Sequence, residues 1–316
     1  MILNVIFSFN RAMQLDFLLK SSLKHFKFDY KILVIYHTTG DHYLGYKKLI
    51  EEYSSNQKII FQEKKENKIT FFEKILSRTK LKKIKSENNF KNLLENLLFR
   101  EKLEFVMFNT DDGYWFSDIE LESSILNIIR LNPLSVSYRL YVGDNLEGFP
   151  NYVKKWGQYY LWDYYFDENL THWSYPFAVD ATIYHRESIL SIIKNVDYYN
   201  PVTLEDLTVN YIKKQKKFAI GLSPLQSKLV GTKLNRVAVE TKNPTIHISV
   251  DELNRFFIQN YKLDLELPIP LNNANVVPLK VNLLKGEFKI NIYSIDEFGN
   301  DVQNNLGIEG AKKQMD

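Results

Sequence analysis

Apolar residues come in short runs through the first third of the chain, and each run reads as a strand: Ile2–Phe7, Lys31–Tyr36, Lys58–Phe61 and Glu104–Phe108. Between them the period changes. Leu15, Leu18, Leu19, Leu23 and Phe26 fall at helical spacing, and Tyr43–Tyr53, Ile69–Lys85 and Phe90–Lys102 also read as helices. Strands alternating with helices predict an α/β layer fold on a mixed, mainly parallel sheet flanked by helices. Ligands of such sheets sit beyond the carboxyl ends of the strands. Chemistry is therefore expected in the loops after Phe7, Tyr36, Phe61 and Phe108.

The pattern then loses regularity. Asp118–Leu131 is an amphipathic helix stopped by Asn132-Pro133, and Ser135–Leu140 is a strand. Residues 141–177 are dense in Tyr, Trp, Phe and Gly, with little periodicity. A strand over Ala181–His185 precedes helices near Glu187–Lys194 and Thr203–Gln215. Thr245–Ser249 alternates like a strand, Asp251–Tyr261 is helical, and the Asn-rich chain from Pro268 reads as a small extension with a loose tail. Two parts are expected: residues 1–250 as the main domain, and 251–316 as a helical and extended appendage.

Composition narrows the choices. Among 316 residues there is no cysteine, which removes disulfides, thiolate metal sites and a Cys nucleophile and fits a reducing compartment. No apolar run reaches the roughly 18–20 residues that cross a bilayer, so a cytoplasmic location is expected. Net charge is only +3, and no nucleic-acid motif is present, so nucleic acid is not an expected partner. The positive excess is local: Lys64–Lys85 holds nine Lys/Arg against two Glu. A basic amphipathic helix there would suit the anionic inner face of a membrane as peripheral contact, or simply a solvated face.

Four places carry candidate chemistry. Thr110-Asp111-Asp112-Gly113 ends an apolar strand; carboxylates so placed can hold Mg²⁺ or Mn²⁺, and the same residues make a good turn. Asn200-Pro201-Val202-Thr203-Leu204-Glu205-Asp206 starts a helix, where an acid suits the macrodipole or can take a proton from a hydroxyl. Asp180, just before a strand, can bind sugar hydroxyls or cap a turn, and the rings before it, Trp173 included, are sugar platforms or core. His247 lies among apolar neighbours as a structural residue or a metal ligand.

The order of these motifs resembles that of a GT-A fold glycosyltransferase, close to the family-2-like bacterial group that builds surface glycans. Ser8-Phe9-Asn10-Arg11, then Gln14-Leu15 and Ser21-Ser22-Leu23, resembles the opening strand, loop and helix on which the nucleotide docks. Asn109-Thr110-Asp111-Asp112 stands at the place of the DxD motif, with Thr110 where a strict motif has its first Asp. Val179–Arg186 resembles the acceptor-side strand, and Leu204-Glu205-Asp206 the ED motif. The loop His37-Thr38-Thr39-Gly40-Asp41 departs from the usual acidic run.

The resemblance implies transfer, with inversion, of a sugar from a nucleoside diphosphate donor, uridine being the base expected by it, to a hydroxyl of a glycan or lipid-linked saccharide in surface polysaccharide synthesis. By the same resemblance Ser8, Asn10, Arg11 and Asp111 would bind the donor, and Asp112 and His247 a Mn²⁺ or Mg²⁺ ion. Asp180 and Trp173 would face the acceptor, and Glu205 or Asp206 would be the general base. Neighbouring helical side chains point about 100° apart, so only one of those two acids can face the acceptor. Competing readings are a carbohydrate- or nucleotide-binding scaffold on the same fold, and a nucleotidyltransferase. The latter usually has a glycine-rich phosphate loop, and Ser8-Phe9-Asn10-Arg11-Ala12 contains no glycine.

Overall fold

The computed structural model describes residues 1–65, 89–166, 171–235, 245–296 and 301–303. The expected helix over Ile69–Lys85, and nearly all of the basic Lys64–Lys85 segment, lie outside them. The opening runs form β1 (Ile2–Phe9), β2 (Tyr30–His37), β3 (Ile59–Glu63) and β4 (Phe105–Thr110), all parallel, in the order β3-β2-β1-β4. Beyond β4 the sheet turns mixed. β9 (Thr182–His185) is antiparallel to β4 and to β6 (Val136–Arg139), and β10 (Ile220–Pro224) is parallel to β6. A hairpin of β7 (Lys154–Trp156) and β8 (Tyr159–Asp163) closes the nine-stranded sheet.

Both faces of β1 are buried, which is why it reads as a continuous apolar run. Alternate residues serve two cores. Ile2 and Ile6 face α1 (Ala12–His25), α2 (His42–Glu52), α4 (Ser123–Leu131) and α7 (Val250–Ile258). Leu3, Val5 and Phe7 face α3 (Asn89–Arg100), α5 (Arg186–Ile193) and α6 (Pro201–Gln215). The result is a mixed α/β sandwich with the sheet as its middle layer.

The aromatic stretch that shows little periodicity folds as the β7–β8 hairpin because its rings pack on one another. Trp162 lies across Trp173, and an added Cβ at Gly221 on β10 would stand 2.2 Å from the Trp162 ring. Only a residue without a side chain lets the indole lie flat there.

The Asn-rich end is more ordered than its composition implies. β12 (Lys262–Glu266), β14 (Lys280–Lys285), β15 (Phe288–Ile295) and β16 (Asp301–Gln303) make an antiparallel sheet. Its Val281, Leu283 and Tyr293 belong to the same apolar core as α1 and α7. A third sheet joins β5 (Gly113–Trp115), β11 (Leu229–Thr232) and β13 (Asn275–Val276). Thr245–Ser249 is not a strand of any sheet: Ile246 and Ile248 donate their N–H groups to Lys233 and Leu234, while His247 takes φ +59°.

Candidate functional site

Parallel β1, β2 and β4 end on one rim of the sheet, and β9, running the other way, starts there. Phe108 stands opposite Thr182, and the Ala181 N–H donates to the Phe108 carbonyl. Arg139, the last residue of β6, pairs with Thr182 from the other side. Sheet register thus brings the Asp111–Asp112 turn, Asp180 and Arg139 to a common rim, although they are far apart in sequence.

The turn after β4 is braced from below. Asp111 is buried, and both its oxygens are used: Oδ2 accepts from Ser8 Oγ at 2.7 Å and the Phe9 N–H at 3.1 Å, and Oδ1 from Arg11 Nη1 at 2.9 Å. The same Nη1 reaches Asp112 Oδ2 at 3.2 Å. Arg11 is itself fixed, its Nε on Asn235 Oδ1 at 2.8 Å and its Nη2 on the Asn235 carbonyl at 2.6 Å. Burial pulls Asp111 toward its neutral form and Arg11 pulls it back. For Arg11, burial alone would lower the pKa; the two aspartates outweigh it and hold the guanidinium above its ordinary value. Tyr46 completes the brace, its hydroxyl bonded to Ser8 and accepting the Arg11 N–H.

Asn10 sits at φ +57°, a conformation Asn tolerates better than most residues. Its side chain ties the two loops of the rim together, donating to Thr39 Oγ1 at 2.7 Å and accepting the Thr39 N–H at 2.9 Å. Beside it Phe9 and His37 stack at 5.3 Å.

A carboxylate cluster faces this turn. Thr110 Oγ1 lies 2.8 Å from Asp112 Oδ1 and 3.3 Å from Asp180 Oδ1. Helix α6 starts with a capping box, in which Asn200 and Thr203 satisfy each other's backbone N–H groups, and Pro201 sits at its first turn. That fixed start turns Glu205 inward, where Oε1 accepts the Val179 N–H at 3.0 Å, and leaves Asp206 exposed. Burial first, then the Asp112 charge, pushes Asp180 up to about 6. Burial and the Asp180 charge push Glu205 up to about 8. Neighbouring His172 goes the other way, to about 4, through burial and then Arg139. A carboxyl that titrates near neutrality at a sheet rim suits proton transfer.

The other expected residues lie apart from this cluster. Trp173 is 3% exposed, enclosed by Trp162 at 4.9 Å and Phe149 at 5.2 Å, so its ring faces core and not solvent. His247 is exposed, with Nδ1 at 3.3 Å from Thr245 Oγ1, and bonds none of the four carboxylates Asp111, Asp112, Asp180 and Glu205. Among the described residues no three His, Cys, Asp or Glu side chains converge as a metal-holding group. Asp111 is buried, with both oxygens bonded and Arg11 already as its cation. Asp112 also accepts on both oxygens, from Thr110 and Arg11, but its side chain is 33% exposed and is the one of the two that a cation can reach from solvent. A single hard-oxygen ligand fits Mg²⁺ or Mn²⁺ where phosphate oxygens and waters complete the shell.

Three contributors carry no sequence motif: Tyr46, Asn235 and Arg139. Tyr46 reads as a core ring on a helix, Asn235 stands outside every pattern, and Arg139 ends an ordinary strand.

No protein-family model matches the chain. Bifunctional glycosyltransferase pgtA of Dictyostelium discoideum is 25% identical over 211 residues, which covers 57% of this chain and 27% of that protein. Over that stretch the chain is similar to a glycosyltransferase. It spans just over a quarter of that relative's length. Solved structures of S. aureus TarS also align. TarS 1–349 in complex with UDP-GlcNAc gives a TM-score of 0.45 at 15% identity, covering 81% of this chain and 65% of that one. TarS 1–349 alone gives 0.42 at 14% identity, covering 74% and 61%.

Proposed function

We propose that this protein is a GT-A type glycosyltransferase that moves a sugar, with inversion, from a nucleoside diphosphate donor to a hydroxyl of a glycan or lipid-linked saccharide. The observation that carries the reading is Glu205, turned inward onto the Val179 amide with a carboxyl near neutrality, on the rim that holds Asp180 and Asp112. Glu205, ionised, takes the proton of the acceptor hydroxyl. The oxygen attacks the anomeric carbon as the bond to the diphosphate breaks, and the diphosphate leaves with the bonding electrons. Asp180 accepts from acceptor hydroxyls. Ser8, Asn10, Arg11 and Asp111 shape the loop under the donor. Mn²⁺ or Mg²⁺, held by Asp112, would neutralise charge on the leaving diphosphate.

The test is a screen of nucleoside diphosphates and their sugars by thermal shift, with Mn²⁺, Mg²⁺ or EDTA, UDP first. A ligand that binds only the folded chain raises its melting temperature with concentration. Donor hydrolysis or transfer in the ligand's presence, lost in Glu205→Gln, is the expected outcome. Donor binding with no turnover on any acceptor would favour a second reading, a binding scaffold, which the mutual pairing of Arg11 and Asp111 also suits. Surface polysaccharide as the product, and membrane contact through the 64–85 segment, belong to the same proposal. Flotation with anionic vesicles, abolished by salt, tests the latter. Among the described residues no helix is long and apolar enough to cross a membrane.

A further inference from the structure

Arg139 is 3% exposed, one of few cations so deeply placed among the described residues. Its Nη1 donates to the Tyr175 carbonyl at 3.0 Å, and its Nε is buried with no hydrogen-bond partner among the described residues. The guanidinium also bonds the Tyr164 side chain, so its partners are neutral and no acid among the described residues bonds it; a buried charge so placed is expensive to keep. Packing alone does not account for it, since an apolar side chain at the end of β6 would fill the space more cheaply. The cation stands next to what balances it. Register sets Arg139 against Thr182, two residues after Asp180, and the intervening backbone binds Glu205 through Val179.

We propose that Arg139 is a positioning residue: its guanidinium supplies positive charge that lets the carboxylates of Asp180 and Glu205 stand together on one rim of the sheet. Glu205 is surrounded by Asp180 before β9, Asp206 on its own helix, and the phenols of Tyr141 and Tyr175, none of them cationic. Among the described residues Arg139 is a positive group that acts on it, and it acts on Asp180 in the same sense. The guanidinium bonds neither acid directly, so its influence passes through space in a medium that screens less than water. The role of the site rests on the transferase reading above; the charge balance itself does not, and it is measured without any substrate.

The experiment uses the whole chain labelled with ¹³C at the glutamate carboxyl, the Glu205 signal being assigned by its loss in Glu205→Gln. In Arg139→Gln, which keeps an N–H for the Tyr175 carbonyl but no charge, the Glu205 midpoint rises by about one pH unit or more. In Arg139→Lys it stays within about half a unit of the parent, because the charge remains. A midpoint unmoved in Arg139→Gln overturns the proposal, whatever happens to the melting temperature. Should that variant be too unstable to titrate, urea denaturation of the Arg139→Gln/Asp180→Asn double variant decides. Charge balance requires it to be more stable than the sum of the two single changes, and additivity overturns the idea.

Discussion

At the scale of single residues, Glu205 is the most informative side chain. Its value of about 8, against an ordinary 4.5, means that the folded chain holds a proton the unfolded chain has already lost. Stability contributed through this group is therefore present at low pH and falls as pH climbs from 4.5 to 8. Glu205→Gln should leave stability unchanged near pH 4.5 and raise it at pH 9 by about 1–2 kcal/mol, a figure discounted because part of the side chain meets solvent. Urea denaturation at both values checks this. If Glu205 is the base, the same variant lowers kcat/KM by about 10²–10⁴, and the parent's rate rises with pH toward 8. Arg11→Met removes the cation from two acids and should destabilise by about 3–5 kcal/mol at pH 8 and less in acid, since burial already favours the protonated form of Asp111. Denaturant titration at pH 8 and in acid reads the difference. Much of this site was legible beforehand: the strand-end acids and the helix-start acids stand in motifs. The choice between Glu205 and Asp206 was not, because it depends on helix phase set by the Asn200 cap. Arg139 was invisible, since a lone arginine in a strand carries no pattern.

At the scale of elements, the start of α6 sets the aim of Glu205, and the capping box sets the start of α6. Asn200→Ala should cost about 1 kcal/mol of stability and blur the inward turn of Glu205. The urea midpoint gives the first, and a broadened Glu205 carboxyl resonance the second. Gly221→Ala drives a methyl against Trp162 and should cost about 1–3 kcal/mol, with loss of the indole's near-ultraviolet dichroism. The parallel strands were readable because burial on both faces leaves an unbroken apolar run. The β7–β8 hairpin was not, because Tyr and Trp count as apolar and polar at once and hide a two-residue period. In β14, buried Asn282 between Val281 and Leu283 disguises a core strand as polar chain. At His247 the alternation is genuine, but its positive φ breaks the pleat.

At the scale of the molecule, the C-terminal sheet and the α1–α7 face contribute to one apolar core. Unfolding should then be a single transition, seen alike by tryptophan fluorescence and far-ultraviolet dichroism. Leu283→Ala should lower stability by about 2–4 kcal/mol and move both signals together; separate transitions would mark residues 251–316 as an independent unit.

One contact joins residues that are made far apart in time. Arg11 reaches Asn235 across 224 positions of sequence. A ribosome adding about 5–20 residues per second needs roughly 10–45 seconds to travel that far. Throughout that interval the nascent β1–α1 loop carries its arginine with no downstream carbonyl to hold it. The rim that β1 opens is thus not complete until a residue made 224 positions later has arrived. A chain stalled anywhere before Asn235 would display the opening strand and helix yet lack the anchor that shapes the loop, so incomplete copies would be born with that loop unanchored.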